Sequence, residues 1–126
     1  METLFSDVVE TNGINVITTR LNENTYSKTK YNPDKKLVEE KIITPTSSET
    51  KIFNEHGEIT STSRINVLAN GETLETTIHE NGYITTQEKR QDGSLSSMIT
   101  RTPSGEVFKQ DFDVNNTPLN APYRIN

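Results

Sequence analysis

The chain has 126 residues and no cysteine, so it is long enough for one domain but excludes disulfides, thiolate chemistry and cysteine-bound zinc. Its net charge is −5, and its 13 basic residues are scattered among 18 acidic ones, which argues against binding to nucleic acid or to an anionic membrane surface. Hydrophobic residues make up only 29% of the chain and Trp is absent, so any apolar core must be thin.

The N-terminal segment has no feature of a secretion signal. Residues 1–20 contain three acidic side chains and no apolar run. No stretch of the chain reaches the roughly 18 apolar residues of a membrane span. We therefore expect a cytoplasmic protein, or one assembled into a particle without a signal peptide.

Turn-forming clusters divide the whole chain into short segments. Most are spaced by about eleven residues, and the segments between them are rich in Thr, Ile and Val, as strands are. Asn-Gly and Asp-Gly favour type I′ hairpin turns, because both central residues of that turn need a positive φ. The clusters are Asn12-Gly13, Asn22–Asn24, Asn32-Pro33-Asp34, Pro45–Ser48, Asn54–Gly57, Asn70-Gly71, Asn81-Gly82, Asp92-Gly93, Pro103-Ser104-Gly105 and Asn115-Asn116.

This rhythm predicts an all-β fold, an antiparallel up-and-down meander of about 9–11 short strands with little or no helix. The one segment with helical spacing is 34–43, DKKLVEEKII, but Pro45 follows closely and the segment continues the strand rhythm. We interpret it as a strand and keep a short helix as the alternative. The stretch 32–37 matches the other turns, with a lysine where they have glycine.

Each predicted strand offers only one or two apolar residues per face, as in 73–78, where Leu74, Thr76 and Ile78 share one face. A normal sandwich needs a fuller inner face. Three architectures remain: a barrel or sandwich closed over a thin core, an extended single-layer sheet, and an intertwined oligomer.

The predicted β-meander domain covers residues 1–114, and residues 115–126 form an extended C-terminal tail. Pro118 and Pro122 exclude a central strand there. The tail has two interpretations, an arm that docks on a neighbour through Leu119, Tyr123 and Ile125, or a frayed end.

Four fragments carry a shared turn-glycine-x-apolar pattern: NEHGEI at 54–59, ENGYI at 80–84, QDGSL at 91–95 and PSGEV at 103–107. The pattern resembles the tyrosine-aspartate repeats of large bacterial shell-forming toxins and the strand-turn repeats of MORN-type proteins. The aromatic residues that define both families are missing here, so we assign the chain to neither.

No catalytic motif, phosphate-binding loop or dinucleotide fingerprint occurs in the sequence. The two histidines, His56 and His79, each precede a tight turn. A metal pair with Glu55 or Glu80 is conceivable, but solvated turn histidines are the simpler interpretation. We therefore predict no enzyme activity, no catalytic residue, no metal site and no cofactor.

The predicted function is a protein-binding module that acts through its sheet face, its edge or its turns, in the manner of inhibitors, immunity proteins and phage counter-defence proteins. Its partner would be another protein or copies of itself. The alternative is a structural subunit of an oligomeric phage or cell-surface assembly, such as a fibre or decoration protein. The partner-binding candidates are Glu55, His56, Tyr83, Pro103 and Tyr123. Tyr83 directly follows a turn glycine, where an aromatic residue either serves as an exposed interface anchor or covers its own hairpin.

Overall fold

A computed structural model describes residues 6–126, and in that range the fold is all-β without a helix, as the sequence predicts. Eleven antiparallel strands are hydrogen-bonded in the order in which they follow one another in the chain. The segment with helical spacing is a strand, Leu37–Ile43. The strands are β1 Ser6–Thr11, β2 Ile14–Asn22, β3 Thr25–Tyr31, β4 Leu37–Ile43, β5 Ser47–Phe53, β6 Ile59–Val67, β7 Thr73–His79, β8 Ile84–Lys89, β9 Leu95–Arg101, β10 Val107–Asp111 and β11 Tyr123–Arg124.

The chain divides into two compact units within β6, the first ending at Thr62 and the second running from Ser63 to Asn126. In the first unit β1 to β5 pair in sequence, and extra residues in β2 and β4 produce bulges opposite β3. In the second unit β7 to β11 pair in the same way, with one bulge between β8 and β9. The C-terminal residues thus form β11 on the outer side of β10.

Seven of the ten connections between described strands have the same three-residue loop. In the loop after β5, for example, Asn54 N–H donates to the carbonyl of Glu58, and Gly57 N–H donates to the carbonyl of Asn54. Only the last loop residue has a positive φ, +78° at Gly57. This is the pattern of a type I turn followed by a left-handed residue, the second most common hairpin type.

The predicted type I′ geometry is therefore wrong for most of the turns. It is found at Asn12-Gly13, where φ is +53° and +81°. At Asn70-Gly71, Asn81-Gly82 and Asp92-Gly93 only the glycine has a positive φ, because a third residue belongs to each loop.

The loop between β3 and β4 confirms that lysine replaces glycine in the equivalent turn. Lys35 holds the left-handed position with a φ of +64°, and its N–H donates to the carbonyl of Asn32 at 2.9 Å. Asn116 holds the same position after β10, with a φ of +62°.

A short polar side chain closes each of these seven loops. Its oxygen accepts a hydrogen bond from the N–H of the first residue after the loop. In one group the acceptor precedes the loop, as Asn54 Oδ1 does for Glu58 N–H at 3.0 Å. In the other group the acceptor stands just before the glycine, as Asn70 Oδ1 does for Glu72 N–H at 3.0 Å. The first group comprises Asn32, Asn54, Thr102 and Asp113, and the second Asn70, Asn81 and Asp92.

Little of the described chain is buried. Among the described residues Phe112 is the one buried hydrophobic side chain, and the polar residues Ser94 and Ser97 are also buried. The remaining strand residues are half-buried or exposed, as in a sheet whose faces are only partly covered. Cross-strand pairs such as the hydroxyls of Thr76 and Thr86, 3.2 Å apart, contribute to the stability of this sheet.

Candidate protein-binding edge and turns

Glu55 and His56 lie in the loop between β5 and β6 of the first unit. Their side chains are 79% and 71% exposed, and His56 Nε2 lies 3.5 Å from Glu55 Oε1. The Lys36 ammonium of the preceding loop on the same end donates to the Glu55 carbonyl at 3.4 Å. At this exposure both side chains are accessible to a partner, and their contact contributes little to folding.

Tyr83 and Pro103 are brought together at one end of the second unit. Tyr83 follows the β7–β8 loop, and Pro103 lies in the β9–β10 loop. A Cβ placed on Gly82 would lie 3.2 Å from Cγ of Pro103, so the two loops are in contact. Tyr83, the residue after Gly82, is exposed.

Tyr123 fastens the C-terminal tail. Its hydroxyl donates to Asp111 Oδ2 at 3.1 Å, and Asn120 Nδ2 donates to the same oxygen at 2.9 Å. The bond from Asn120, followed by that from Tyr123, lowers the pKa of Asp111, although partial desolvation opposes the shift. The Asp111 bond in turn raises the pKa of Tyr123.

The tail closes the outer edge of β10. Leu119 N–H donates to the Asp111 carbonyl at 2.8 Å, and Ile125 N–H donates to the Val107 carbonyl at 2.9 Å. Asparagine side chains complete the edge, because Asn126 Oδ1 accepts from Val107 N–H and Asn120 Oδ1 accepts from Asp111 N–H. Every second residue of this edge therefore pairs with the tail, and Pro118 and Pro122 keep the tail from templating a further strand.

The outer edge of β1 has no such cover among the described residues. Residues Asp7 to Thr11 are all exposed, and within residues 6–126 β1 pairs only with β2. Val8 and Val9, 58% and 55% exposed, point to opposite faces. Val8 also borders a shallow depression of about 260 Å³, whose other lining residues are Asn15, Ile17, Tyr31 and Lys35.

The polar clusters of the second unit hold turns together. Asp92 accepts from both the hydroxyl and the N–H of Ser94, at 2.6 and 2.8 Å, and these bonds lower the pKa of Asp92. Arg90 donates to the carbonyls of Leu95 and Phe112 at 2.8 and 2.7 Å. The Asp92 carboxylate thus stabilises its own loop. Together with Glu72, Arg90, Gln91 and Ser96 it lines an open depression of about 530 Å³.

The sequence prediction missed β1 as the open edge and the asparagines that close β10. The first had a usable signal, because the first strand of a meander is an edge by position, and here two valines stand beside each other just before Asn12-Gly13. The second had none, since the asparagine side chains follow no strand periodicity.

Within residues 6–126 no group of three or more histidine and carboxylate side chains is placed to hold a metal ion. That part of the chain also holds no helix of the length and apolar character needed to cross a membrane. No protein-family model matches the chain, and no curated protein matches it in sequence.

Proposed function

We propose that this protein is a non-enzymatic binding module that captures an extended segment of a protein partner along the edge of β1. The observation that carries the proposal is the contrast between the two outermost strands. The tail pairs with every second residue of the β10 edge, whereas residues 7–11 of β1 are all exposed.

An added strand gains both backbone and side-chain contacts at β1. Alternate residues of an edge strand direct their N–H and C=O away from the sheet, and each new bond contributes about 0.5–1.5 kcal/mol. Val8 and Val9 would each meet a partner side chain, one on each face. Burial of a valine contributes up to about 1.5–3 kcal/mol, so even partial cover of these two adds usefully.

The exposed turn residues suit secondary contacts. A strand added to β1 pairs with residues 6–11, and β1 supplies the anchoring strand in this proposal. Backbone pairing there does not involve Glu55, His56, Tyr83 or Pro103, so each of these is a separate candidate contact.

The experiment compares three purified proteins against a partner captured from cell extract and then purified. These are the wild type, an edge-blocked variant Val8→Lys/Val9→Lys, and the turn variant Tyr83→Ala. We expect the wild type and the Tyr83 variant to bind with new hydrogen-exchange protection over residues 7–11, and the edge-blocked variant to bind at least about tenfold more weakly, because lysines disfavour strand addition. A complex that leaves residues 7–11 unprotected would overturn the proposal, and circular dichroism controls for folding.

A second function, a structural subunit of an oligomeric assembly, is favoured by the scarcity of buried apolar side chains. Only Phe112 is buried among the described hydrophobic residues, and thirteen large ones are exposed. An assembly that stacks copies through a sheet face would cover them. Light scattering coupled to size-exclusion chromatography at two concentrations separates the functions: a trimer at both concentrations supports the assembly, and a monomer excludes it.

A further inference from the structure

Two lysines face each other across the β3–β4 pair of the first unit. Lys28 lies directly opposite Lys41, and Lys30 follows two residues along β3 on the same face. Side chains in such opposed positions have Cβ atoms about 4.5–5.5 Å apart, and like charges there destabilise the sheet. Lys28 and Lys41 therefore repel each other across this strand pair.

Within residues 6–126 no carboxylate lies within ion-pair distance of these three ammonium groups. None of the three ammonium groups makes a salt bridge or a side-chain hydrogen bond there. Glu39 lies opposite Lys30 without coming within ion-pair distance. The outer neighbours of the lysine pair are threonines, Thr18 on β2 and Thr50 on β5.

The three lysines line a depression of about 180 Å³, together with Val16, Thr29 and Glu39. Its walls therefore combine three ammonium donors with one carboxylate and an apolar side chain, and the cross-strand row adds threonine hydroxyls. Ammonium and hydroxyl groups are the donors that hold carboxylate oxygens.

We propose that this face of the first unit binds an acidic extended segment of a protein partner, with a carboxylate seated between Lys28 and Lys41. Side chains on one side of an extended segment repeat every two residues, about 6.6–6.8 Å, which is also the spacing of Lys28 and Lys30 along β3. One acidic side chain thus faces the lysine pair, and the next lies beside Lys30. The site is separate from the β1 edge and does not depend on it.

A peptide fits this face better than a nucleic acid does. Glu39 stands within the depression and would repel a continuous phosphate backbone. The chain's net charge of −5 also opposes a polyanion, whereas a short segment with two or three carboxylates meets mainly the local lysines.

The test titrates three probes by calorimetry and amide NMR: a peptide of six Thr-Glu repeats, its Thr-Gln counterpart and an eight-residue oligothymidylate. The variant is Lys28→Gln/Lys41→Gln, and its control is Lys51→Gln/Lys109→Gln, which removes the same charge elsewhere. We expect the Thr-Glu peptide to bind the wild type, to shift the amides of residues 28–30 and 39–41, and to bind the variant about tenfold or more weakly but the control within about twofold. Equal binding to variant and wild type, no binding of the Thr-Glu peptide, or tighter binding of the oligothymidylate would overturn the proposal.

A measurement on the free protein tests its premise. If the repulsion between Lys28 and Lys41 outweighs the attraction of Glu39, Lys41→Gln raises the melting temperature in low salt, and the gain shrinks as salt screens the charges. A lower melting temperature for a folded Lys41→Gln protein would show that Lys41 already has a stabilising partner, and it would overturn the proposal.

Discussion

The hydroxyl of Tyr123 donates to Asp111 Oδ2, and this bond joins the C-terminal tail to the strand whose edge it covers. Two titratable groups thus meet at the point where the outer edge of β10 is closed. Each shifts the other's pKa in the direction that favours the bonded pair, the carboxylate ionised and the phenol protonated.

We therefore expect the tail to loosen at both ends of the pH scale. The pKa of Asp111 is lowered from 3.8, so its contribution is present above that value and is lost as the pH falls through the folded-state pKa. The pKa of Tyr123 is raised from 10.0, so its contribution is present below that value and is lost as the pH rises. Amide exchange of Leu119 and Ile125 follows the acid limb, and tyrosine absorbance follows the alkaline limb.

The matched variants separate the two groups. Tyr123→Phe removes the alkaline limb and keeps part of the acid limb, because Asn120 still donates to Asp111. Asp111→Asn removes the acid limb. Leu119 and Ile125 amides that exchange at the same corrected rate at pH 6 and pH 2.5 in the wild type would contradict this account.

Lys35 lies in the conformation that other loops give to glycine. A non-glycine residue in the left-handed region costs about 1–2 kcal/mol. Glycine avoids this cost, but its larger conformational freedom in the unfolded chain offsets part of the gain. Lys35→Gly should therefore raise the free energy of unfolding by about 0.5–1 kcal/mol in urea denaturation. Lys36→Gly is the control, because Lys36 does not have a positive φ. This substitution should lower the free energy of unfolding. Equal effects of the two substitutions would show that the backbone of Lys35 is not strained.

Gly82 combines a positive φ with a crowded side, whereas Gly93 has the same φ in open space. The φ values are +90° and +87°. A Cβ would lie 3.2 Å from Pro103 at Gly82 but would meet nothing within 4 Å at Gly93. Both alanine variants should lose about 1 kcal/mol through backbone strain, with a further loss for Gly82→Ala alone. Thermal unfolding measures the difference, and equal melting temperatures would show that the Tyr83 and Pro103 loops are not in contact.

The strands and turns were predictable because both follow from local chemistry. The spacing of the turn clusters predicts the meander, and the lysine-for-glycine substitution at Lys35 is confirmed. The predicted turn type was wrong at three of the dipeptides, because a dipeptide alone does not show how many residues form the loop between the paired strands. These dipeptides are Asn70-Gly71, Asn81-Gly82 and Asp92-Gly93. A sharper rule is now visible, since each three-residue loop has an Asn, Asp or Thr either three residues or one residue before its left-handed position.

The candidate site was less predictable because it depends on register. Lys28 and Lys41 stand 13 positions apart in the sequence and face each other only because β3 and β4 pair in one particular register, which a bulge at Val38 shifts by one residue. A shift of one residue would move a lysine to the other face of the sheet. Side-chain hydrogen bonds of Asn120 and Asn126 likewise decide that the tail lies on β10, and nothing in the spacing of polar residues indicates them.

The C-terminal tail covers the outer edge of β10, so its removal should expose that edge. Truncation after Thr117 removes the partners of Val107 and Asp111 and leaves β10 as an uncovered edge strand. Uncovered edges pair with other chains, so the truncated protein should associate as its concentration rises. Light scattering on the full and truncated chains measures this. β1 is an edge strand in both the full and the truncated chain, so it serves as the control. The substitution Val8→Lys/Val9→Lys in the truncated chain should leave most of the new association intact. If this substitution abolishes the association, the chains associate through β1 and the tail does not protect β10.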